Sequence, residues 1–292
     1  MTRRNAIRNA TLGLAASSLG SALSATEAAM SDLSTSAGVG APTNHSVCRW
    51  CYDGIPFEEF ADSCVDLGIK SIELTRPDEW DVLKSRGLTC AMGTFEGFSI
   101  TDAFNDPANH AFLLEKYQEV IPKAAAAGVP NVIAMSGNRR ELTDYEGMIN
   151  CARGLEPVIK LAEEAGVTIQ MELLNSKVDH PDYMCDRTEW GVALCEMVGS
   201  PNFKLLYDIY HMQIMEGDVI ATIQKYQDYI GHYHTGGVPG RNEINNSQEL
   251  NYPAIVKAIH ETGFEGYIAQ EFIPTYEDKI AALREGIMIC AG

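Results

Sequence analysis

Four residues of metal-binding type end successive short apolar runs in the second half of the chain. They are Glu172 in QMELLN, Asp208 in LLYDIYH, His234 in GHYHTGG and Glu271 in AQEF. Three carboxylates and one imidazole offer the ligands that Mn²⁺, Mg²⁺, Co²⁺ and Zn²⁺ take in proteins. The excess of carboxylates favours Mn²⁺ or Mg²⁺, and the imidazole admits Co²⁺ or Zn²⁺, so the sequence leaves the metal open.

A divalent cation beside two glutamates suits the removal of a proton next to a carbonyl group. The cation polarises the carbonyl, one carboxylate takes the proton, and another group returns it. Glu172 and Glu271 can be both ligands and acid–base groups if each keeps one oxygen free. For any single residue of the four, a helix cap or an exposed carboxylate is the alternative. That alternative weakens when four consecutive strands each supply one residue.

The four residues need a scaffold that brings four strand ends together. Short β-rich runs alternate eight times with segments of helical period. The runs predicted as strands are 45–50, 70–75, 88–95, 131–137, 167–174, 203–211, 229–236 and 266–273. Eight such units predict an α/β fold, a single-domain (β/α)8 TIM barrel over residues 44–292, in which functional residues lie at the carboxyl ends of the strands. An open doubly wound sheet is the alternative, but the loop CYDGIP lacks its Gly-rich phosphate-binding pattern.

The first 43 residues are predicted to lie outside the barrel. Residues 1–29 begin Met-Thr-Arg-Arg and continue as a mildly apolar run of small residues, which is typical of a twin-arginine export signal. A tail with chance arginines is the alternative. Residues 30–43 are predicted as a linker. The signal predicts export to the periplasm.

Composition excludes some partners. The chain has 292 residues and a formal net charge of −18, so it repels phosphate backbones and no nucleic-acid partner is expected. No run is apolar enough to predict a membrane span. Eight cysteines in apolar contexts predict buried free thiols, and Cys48-x-x-Cys51 has redox or zinc spacing without a second ligand pair. Whether the chain forms a homo-oligomer stays open.

Five short motifs in order, MELLN, LLYDIYHMQIMEGD, GRNE, LNYPAI and GYIAQEF, resemble the hydroxypyruvate isomerase branch of the xylose isomerase-like sugar isomerases and epimerases. The resemblance covers about residues 45–288. It implies a metal-dependent isomerase that moves a proton next to a carbonyl through an enediolate, acting on a small hydroxy-carbonyl compound or sugar. It also implies that Glu172 and Glu271 are paired acid–base glutamates that bind metal, with Asp208 as the third ligand.

The resemblance also implies residues that contact the substrate. His211 matches a substrate-contacting histidine and Arg241 a substrate-anchoring arginine. Glu243 is placed with them as a substrate-binding residue, either orienting Arg241 or remaining solvated. The alternatives are a structural histidine for His211 and a surface ion pair for Arg241.

One ligand position departs from the isomerase branch. Hydroxypyruvate isomerases often have glutamine where this chain has His234, which matches the ketose 3-epimerase branch instead. His232 shares the strand face of His234 and is predicted to pack one layer deeper. The substrate therefore stays open between an isomerase, a ketose 3-epimerase and a metal-dependent lyase on keto-glycosides. An endonuclease-like barrel would need a basic groove, and a non-catalytic sugar-binding barrel would have lost one of the glutamates.

Other polar and aromatic residues near strand ends have two interpretations each. Glu73 is predicted to form an ion pair with Arg76 rather than to bind a substrate hydroxyl. Arg139 and Arg140 are predicted as exposed loop charges rather than as an anion site. Four aromatic side chains could equally form an apolar wall over a sugar or belong to ordinary barrel packing: Trp50, Tyr52, Phe95 and Phe98.

Overall fold

A computed structural model of the chain describes residues 43–291. The predicted export signal at residues 1–29, and the predicted linker apart from Thr43, lie outside the described residues. The signal and the export that it implies therefore stay predictions. Among residues 43–291, no helix combines the length and the apolar character needed to cross a membrane.

The core of the fold is a ring of parallel strands. In sheet order, the seven regular strands run β2-β1-β7-β6-β5-β4-β3. Their bounds are Asn44–Cys48 (β1), Ser71–Glu73 (β2), Asn131–Ala134 (β3), Thr168–Glu172 (β4), Phe203–Asp208 (β5), Ile230–Thr235 (β6) and Tyr267–Gln270 (β7). Each lies within or at the edge of a predicted run. The strands are rich in buried apolar residues, as parallel strands covered by helices must be.

The third predicted strand, residues 88–95, is present as an irregular segment that we call the closing segment. Thr89 bridges to Ser71 of β2, and Gly93 bridges to Val132 of β3, both in the parallel sense. Gly93 N–H also donates to Asn131 O at 2.8 Å. The closing segment therefore joins the two edges of the seven-stranded sheet, and the predicted (β/α)8 barrel is confirmed.

The closing segment is irregular because side chains replace its ladder bonds at one residue. Ala91 N–H donates to Ser71 Oγ at 2.7 Å, and Ala91 O accepts from Asn131 Nδ2 at 2.8 Å. The Asn131 side chain is itself held by Gln170 Nε2 at 2.7 Å. Both polar groups of the Ala91 backbone are satisfied without a regular strand partner.

Helices alternate with the strands along the chain. They are Phe57–Asp66 (α1), Trp80–Ser85 (α2), His110–Ala127 (α3), Asp144–Ala165 (α4), Thr188–Val198 (α5), Ile209–Met215 (α6), Val219–Tyr226 (α7), Tyr252–Glu261 (α8) and Lys279–Ile289 (α9). Short 3₁₀ turns occupy Arg49–Tyr52, Pro107–Asn109 and Gln227–Tyr229. The longest helix, α4, begins at a capping box in which Thr143 and Glu146 each accept the other's backbone N–H.

The sixth predicted strand is shorter in the structure. The sequence predicts a strand through residue 211, but β5 ends at Asp208 and α6 begins immediately. The reason is a cap: Asp208 Oδ1 accepts the backbone N–H of His211 at 3.1 Å, which starts a helical turn. His211 therefore projects from the first turn of a helix instead of from a strand.

All eight cysteines are buried and none is bonded to another. The prediction of buried free thiols is confirmed for this structure. Burial raises the pKa of Cys48 and Cys51 well above the usual thiol value. Both are therefore protonated at neutral pH, which makes them poor nucleophiles.

Removal of the Asn131 amide should weaken the barrel where the closing segment meets β3. We expect Asn131→Ala to lower the free energy of unfolding by about 1–3 kcal/mol, because Ala91 O and Gln170 lose their partner. Hydrogen exchange should also accelerate at residues 89–94. Urea unfolding and native-state amide exchange measure the two effects.

Asn202→Ala is the matched control for this substitution. Asn202 Nδ2 donates to Val167 O at 2.8 Å, a similar bond at the regular β4–β5 seam. The control should lose similar stability without changing exchange at residues 89–94. Equal exchange rates at those amides in the two variants would show that Asn131 has no special part in closure.

His45 on β1 makes stability depend on pH. Burial, with a smaller effect from His260, lowers the pKa of His45 from 6.5 to about 4. The unfolded chain therefore binds this proton more tightly than the folded protein, and stability falls as pH drops from 6.5 to 4. The difference of pKa corresponds to a loss on the order of 3 kcal/mol.

His45→Asn should remove this part of the pH dependence. We expect the free energy of unfolding of the variant, relative to wild type, to rise as pH falls from 7 to 4 in urea titrations. Asn131→Ala changes no ionisable group, so its difference from wild type should stay constant over the same range. Parallel pH curves for wild type and His45→Asn would contradict the assignment.

Candidate active site

The four predicted metal-type residues meet at the carboxyl ends of their strands. Glu172 and Asp208 are the last residues of β4 and β5, His234 lies near the end of β6, and Glu271 follows β7. One ligand atom from each lies within 4.8 Å of the others, and all four side chains are buried. We call these four residues the carboxylate cluster.

Two cationic groups contact the three carboxylates: His234, which belongs to the cluster, and Arg241, which lies outside it. His234 Nδ1 lies 2.9 Å from Glu271 Oε2 and 3.2 Å from Glu172 Oε1. Arg241 Nη2 lies 2.5 Å from Glu271 Oε2 and 3.4 Å from Asp208 Oδ2. Glu271 therefore contacts both cationic groups, whereas Glu172 contacts only His234 and Asp208 contacts only Arg241.

The pKa values of the three carboxyl groups diverge accordingly. Burial raises the pKa of Glu172, and it raises that of Asp208 well above the usual range. Burial acts on Glu271 in the same direction, but Arg241 and His234 outweigh it and hold that pKa well below the usual range. Two buried carboxyl groups thus lack enough positive charge to stay ionised easily.

The donor set fits a divalent cation. Glu172 Oε1 is a buried oxygen that lies 3.2 Å from His234 Nδ1 but makes no well-aligned hydrogen bond among the described residues. Carboxylate oxygens with one imidazole match the ligands of Mn²⁺, Mg²⁺, Co²⁺ and Zn²⁺. Glu172, Asp208, His234 and Glu271 would hold the cation, and its charge would stabilise all three ionised carboxylates.

The other ring nitrogen of His234, Nε2, contacts Glu73, for which the sequence predicts a different partner. Glu73 Oε1 lies 2.8 Å from His234 Nε2 and 2.8 Å from His232 Nε2. The predicted ion pair between Glu73 and Arg76 is wrong, because Glu73 ends β2 with its side chain buried inside the barrel. Arg76 lies in the loop beyond and pairs with Asp78 at 3.5 Å. His232 is fully buried, as predicted for a deeper layer.

His211 lies at the edge of the carboxylate cluster. Its Nδ1 accepts the backbone N–H of Asn175 at 3.1 Å, and Asn175 Nδ2 lies 2.6 Å from the same nitrogen. Nε2 therefore carries the proton in the neutral ring. It has no hydrogen-bond partner in the described structure and lies 3.6 Å from Asp208 Oδ2. Burial and the charge of Arg241 lower the pKa of His211 well below 6.5, so the ring stays neutral.

Sequence reasoning missed Asn175, although it ends the MELLN motif, and did not anticipate the contact of Trp50. Trp50 Nε1 donates to Glu271 Oε1 at 2.8 Å. The Arg241 guanidinium lies over the ring of Trp50, 5.1 Å from its centroid, and over that of Tyr210 at 5.4 Å. These contacts hold Arg241 in place at the mouth of the barrel.

The loop after β6 returns Arg241 to the cluster. Gly237 N–H donates to Asn242 O at 2.9 Å, and Arg241 N–H donates to Gly237 O at 2.8 Å. A Cβ at Gly237 would lie 2.4 Å from Glu243 O, so the loop requires glycine there. The tight fold sets the direction in which Arg241 leaves the backbone.

The structure does not bring Glu243 to the carboxylate cluster. Its carboxylate accepts from the backbone N–H groups of Thr275 at 2.5 Å and Tyr276 at 3.2 Å. Neither interpretation of Glu243 holds, because it is buried and its hydrogen bonds go to this other loop instead of to Arg241. It ties the loop after β7 to the loop after β6.

The four aromatic residues that could form a wall over a sugar differ in their contacts. Of these four, Trp50 donates a hydrogen bond to the carboxylate cluster. Tyr52 stacks on Phe60, and Phe95 packs edge-on against Tyr117 and Phe98. Packing thus accounts for the other three.

The two arginines after β3 are held by acidic side chains. Arg139 is half-buried and binds Asp186 and Asp144, while Arg140 binds Asp102 and Asp106. Arg140 is an exposed loop charge as predicted, and Arg139 is more enclosed than predicted. These pairings leave neither guanidinium free as an anion site.

Comparison with known proteins places the fold and the site in context. A family model described as "Xylose isomerase-like TIM barrel" matches residues 61–289. A human protein named "Putative hydroxypyruvate isomerase" is 30% identical over 176 residues, which cover 58% of this chain and 62% of that protein. The chain thus spans about three fifths of the length of this curated relative.

Solved structures share the fold at low identity. The crystal structure of an AP endonuclease, family 2, from Brucella melitensis matches with a TM-score of 0.73 and 23% identity, covering 83% of this chain and 96% of that one. The structure of an L-ribulose 3-epimerase matches with a TM-score of 0.70 and 19% identity, covering 84% and 92%. At these identities the likeness establishes the barrel and not the activity.

A cation bound at the carboxylate cluster should stabilise the folded protein. We expect Mn²⁺ to raise the melting temperature of wild type, by an amount that grows with the logarithm of its concentration. Asp208→Asn and His234→Ala should lose most of this rise. His260→Ala removes an imidazole outside the cluster and should keep it. A rise that survives in both cluster variants would place the ion elsewhere.

Proposed function

Because the chain belongs to the xylose isomerase-like TIM barrel family, we propose that it is a metal-dependent sugar isomerase/epimerase of the hydroxypyruvate isomerase type. The substrate would be a small hydroxy-carbonyl compound or sugar. The observation that carries the proposal is the carboxylate cluster, in which Glu172 and Glu271 face one buried space together with Asp208 and His234. The curated human relative supports the isomerase branch.

A divalent cation held by the carboxylate cluster would supply the Lewis acidity that draws electrons toward the substrate carbonyl oxygen. The carboxylate-rich donor set favours Mn²⁺ or Mg²⁺. The chain's own residues then have to move one proton between two carbon atoms. They also have to hold the substrate oxygens in one orientation while this happens.

Glu172 is the group better placed to take the proton. Its Oε1 makes no hydrogen bond in the described structure, whereas both oxygens of Glu271 are engaged by Trp50, His234 and Arg241. When Glu172 breaks the C–H bond, the electron pair forms a C=C bond and the carbonyl oxygen becomes an enediolate oxygen. Return of a proton to the neighbouring carbon, with transfer of the hydroxyl proton from one substrate oxygen to the other, completes an aldose–ketose isomerisation.

His211 and Arg241 would bind the oxygens of the substrate. The Nε2–H of His211 has no partner in the described structure, so it can donate to a hydroxyl or carbonyl oxygen. Arg241 holds an anionic or hydroxyl oxygen from the loop above the cluster. Both groups are at least largely buried, which strengthens their hydrogen bonds to substrate.

A ketose 3-epimerase is the second candidate function. His234 stands at a ligand position where hydroxypyruvate isomerases often have glutamine and the epimerase branch has histidine. In an epimerase, one glutamate removes the proton and the other returns it to the opposite face of the same carbon. A nuclease function is disfavoured by the net charge of −18, despite the barrel shared with the Brucella protein.

Turnover should depend on both glutamates. We expect Glu172→Gln and Glu271→Gln each to lower kcat by about 10²–10⁴-fold, because each loses a group that exchanges a proton in the transition state. The assay follows hydroxypyruvate and a panel of ketoses with Mn²⁺ in D₂O, using NMR to locate deuterium. Deuterium at the carbon next to the original one indicates isomerisation, and deuterium with inversion at the same carbon indicates epimerisation.

Glu146→Gln is the control for loss of a carboxylate. Glu146 caps α4 at the surface, and glutamine can replace it in the capping box. Its kcat should equal that of wild type. Intact turnover in both cluster variants, on a substrate that wild type converts, would rule out the paired-glutamate mechanism.

A further inference from the structure

We propose that Glu73 is a positioning residue that fixes the tautomer and orientation of His234, so that Nδ1 faces the three carboxylates. The inference rests on the proposed function, since it assigns His234 as a ligand of the cation. It extends the site to a second layer, deeper in the barrel. Glu73 itself belongs to β2, which is separated from β6 in the sheet by β1 and β7.

The contacts of Glu73 are short and closed to water. Oε1 lies 2.8 Å from His234 Nε2 and 2.8 Å from His232 Nε2, and Oε2 lies 3.1 Å from His232 Nε2. All three side chains are fully buried. A carboxylate reaching across the interior of a barrel to two imidazoles is fixed more firmly than a surface pair, because no water competes for its oxygens.

The chemistry of the carboxylate determines which nitrogen of His234 would keep its proton when a cation binds. An ionised carboxylate only accepts hydrogen bonds, so His234 Nε2 must donate to Glu73. With Nε2 held by Glu73, Nδ1 faces Glu271 Oε2 at 2.9 Å and Glu172 Oε1 at 3.2 Å. The positive charge at this position comes from the Nδ1 proton, and a bound cation would take the place of that proton. Glu73 thus orients the ring for a cation at the cluster.

His232 holds the carboxylate of Glu73 in position. Its Nε2 contacts both carboxylate oxygens, and its ring lies 5.3 Å from that of His234 at an interplanar angle of 80°. Cys48 Sγ is the other neighbour of His234 Nε2, at 3.8 Å. A protonated thiol at that distance is a weak acceptor and does not replace the carboxylate.

The test compares Glu73→Met with Glu73→Gln in the full-length chain. Methionine keeps the size of the side chain but accepts no strong hydrogen bond, so Mn²⁺ should bind 10–100-fold more weakly by calorimetry, roughly the usual effect of losing an outer partner of a ligand. Glutamine keeps one oxygen acceptor, so its affinity should lie closer to wild type than to Glu73→Met. Unchanged affinity in Glu73→Met would overturn the inference.

Gln170→Met controls for damage to the barrel interior. Gln170 is buried on β4 and contacts Asn131, outside the carboxylate cluster. It should lose stability and keep its affinity for Mn²⁺. An equal loss of affinity in Gln170→Met and Glu73→Met would mean that Glu73 acts only through general rigidity, and the inference would fall.

A second measurement does not depend on the folding of the Glu73 variants. In wild type with one equivalent of Zn²⁺, ¹⁵N–¹H spectra of labelled histidine should show His234 protonated at Nε2 and not at Nδ1, with the assignment made from His234→Ala. The reverse tautomer would overturn the inference. So would binding of two ions per chain in wild type and one in Glu73→Met, because Glu73, His232 and His234 would then ligate an ion themselves.

The proposed function and the positioning role of Glu73 can be refuted separately. Absence of Mn²⁺ binding and of deuterium exchange in wild type would rule out the proposed function, and the role of Glu73 with it. Normal binding and exchange in wild type, with no change in Glu73→Met, would rule out the role of Glu73 alone.

Discussion

Three carboxylates enclosed within one small space are the constraint on which the rest of this structure depends. Each loses hydration on burial, and each repels the other two. His234 and Arg241 offset this cost with positive charge, and Trp50 donates a neutral hydrogen bond to Glu271. The opposing pKa shifts of Glu271 and Glu172 show that this compensation is uneven. Glu172, one of the two less compensated carboxylates, is the one with an oxygen that makes no hydrogen bond in the described structure.

The barrel makes the arrangement possible because its strands end at one rim. Neighbouring strands β4, β5, β6 and β7 deliver one residue each. The connections after the strands position two further groups, His211 and Arg241, that do not come from the strand ends. Helix α6 starts at Asp208 and brings His211 beside it, and the loop after β6 folds back through Gly237 to bring Arg241 over the cluster. Rigid strands thus set the ligands, while short connections set the groups that would meet a substrate.

Much of this was predictable from the sequence, because strand ends are local features. Residues such as Glu172 and Asp208 end apolar runs, and the repeat of those runs predicts the barrel. The pairing of Glu73 with His232 and His234 was not predictable in the same way. Those partners are 159 and 161 residues apart in the chain, and only the closed ring places β2 opposite β6. A nearby arginine offered a local partner, and the local explanation was wrong.

A predicted strand boundary was wrong where a side chain, instead of a strand partner, binds the backbone. Asp208 turned the end of a predicted strand into the cap of a helix. Glu243 shows a second reason why prediction from the sequence fails. It is close to Arg241 in the sequence, but its carboxylate accepts hydrogen bonds from the backbone of another loop. Its role depends on a loop that begins some 30 residues later, and neighbouring sequence carries no sign of it.

The closing segment shows where the information for the last strand resides. Ala91 contributes only its peptide N–H and C=O, and the groups that bind them belong to Ser71 and Asn131. Any residue other than proline could make these bonds from position 91 if its side chain fits this buried site. The pairing is therefore encoded in the side chains of the neighbours and not in the segment itself. Substitutions at positions 71 and 131 act on the two sides of one residue, so their energetic effects should be coupled and not additive.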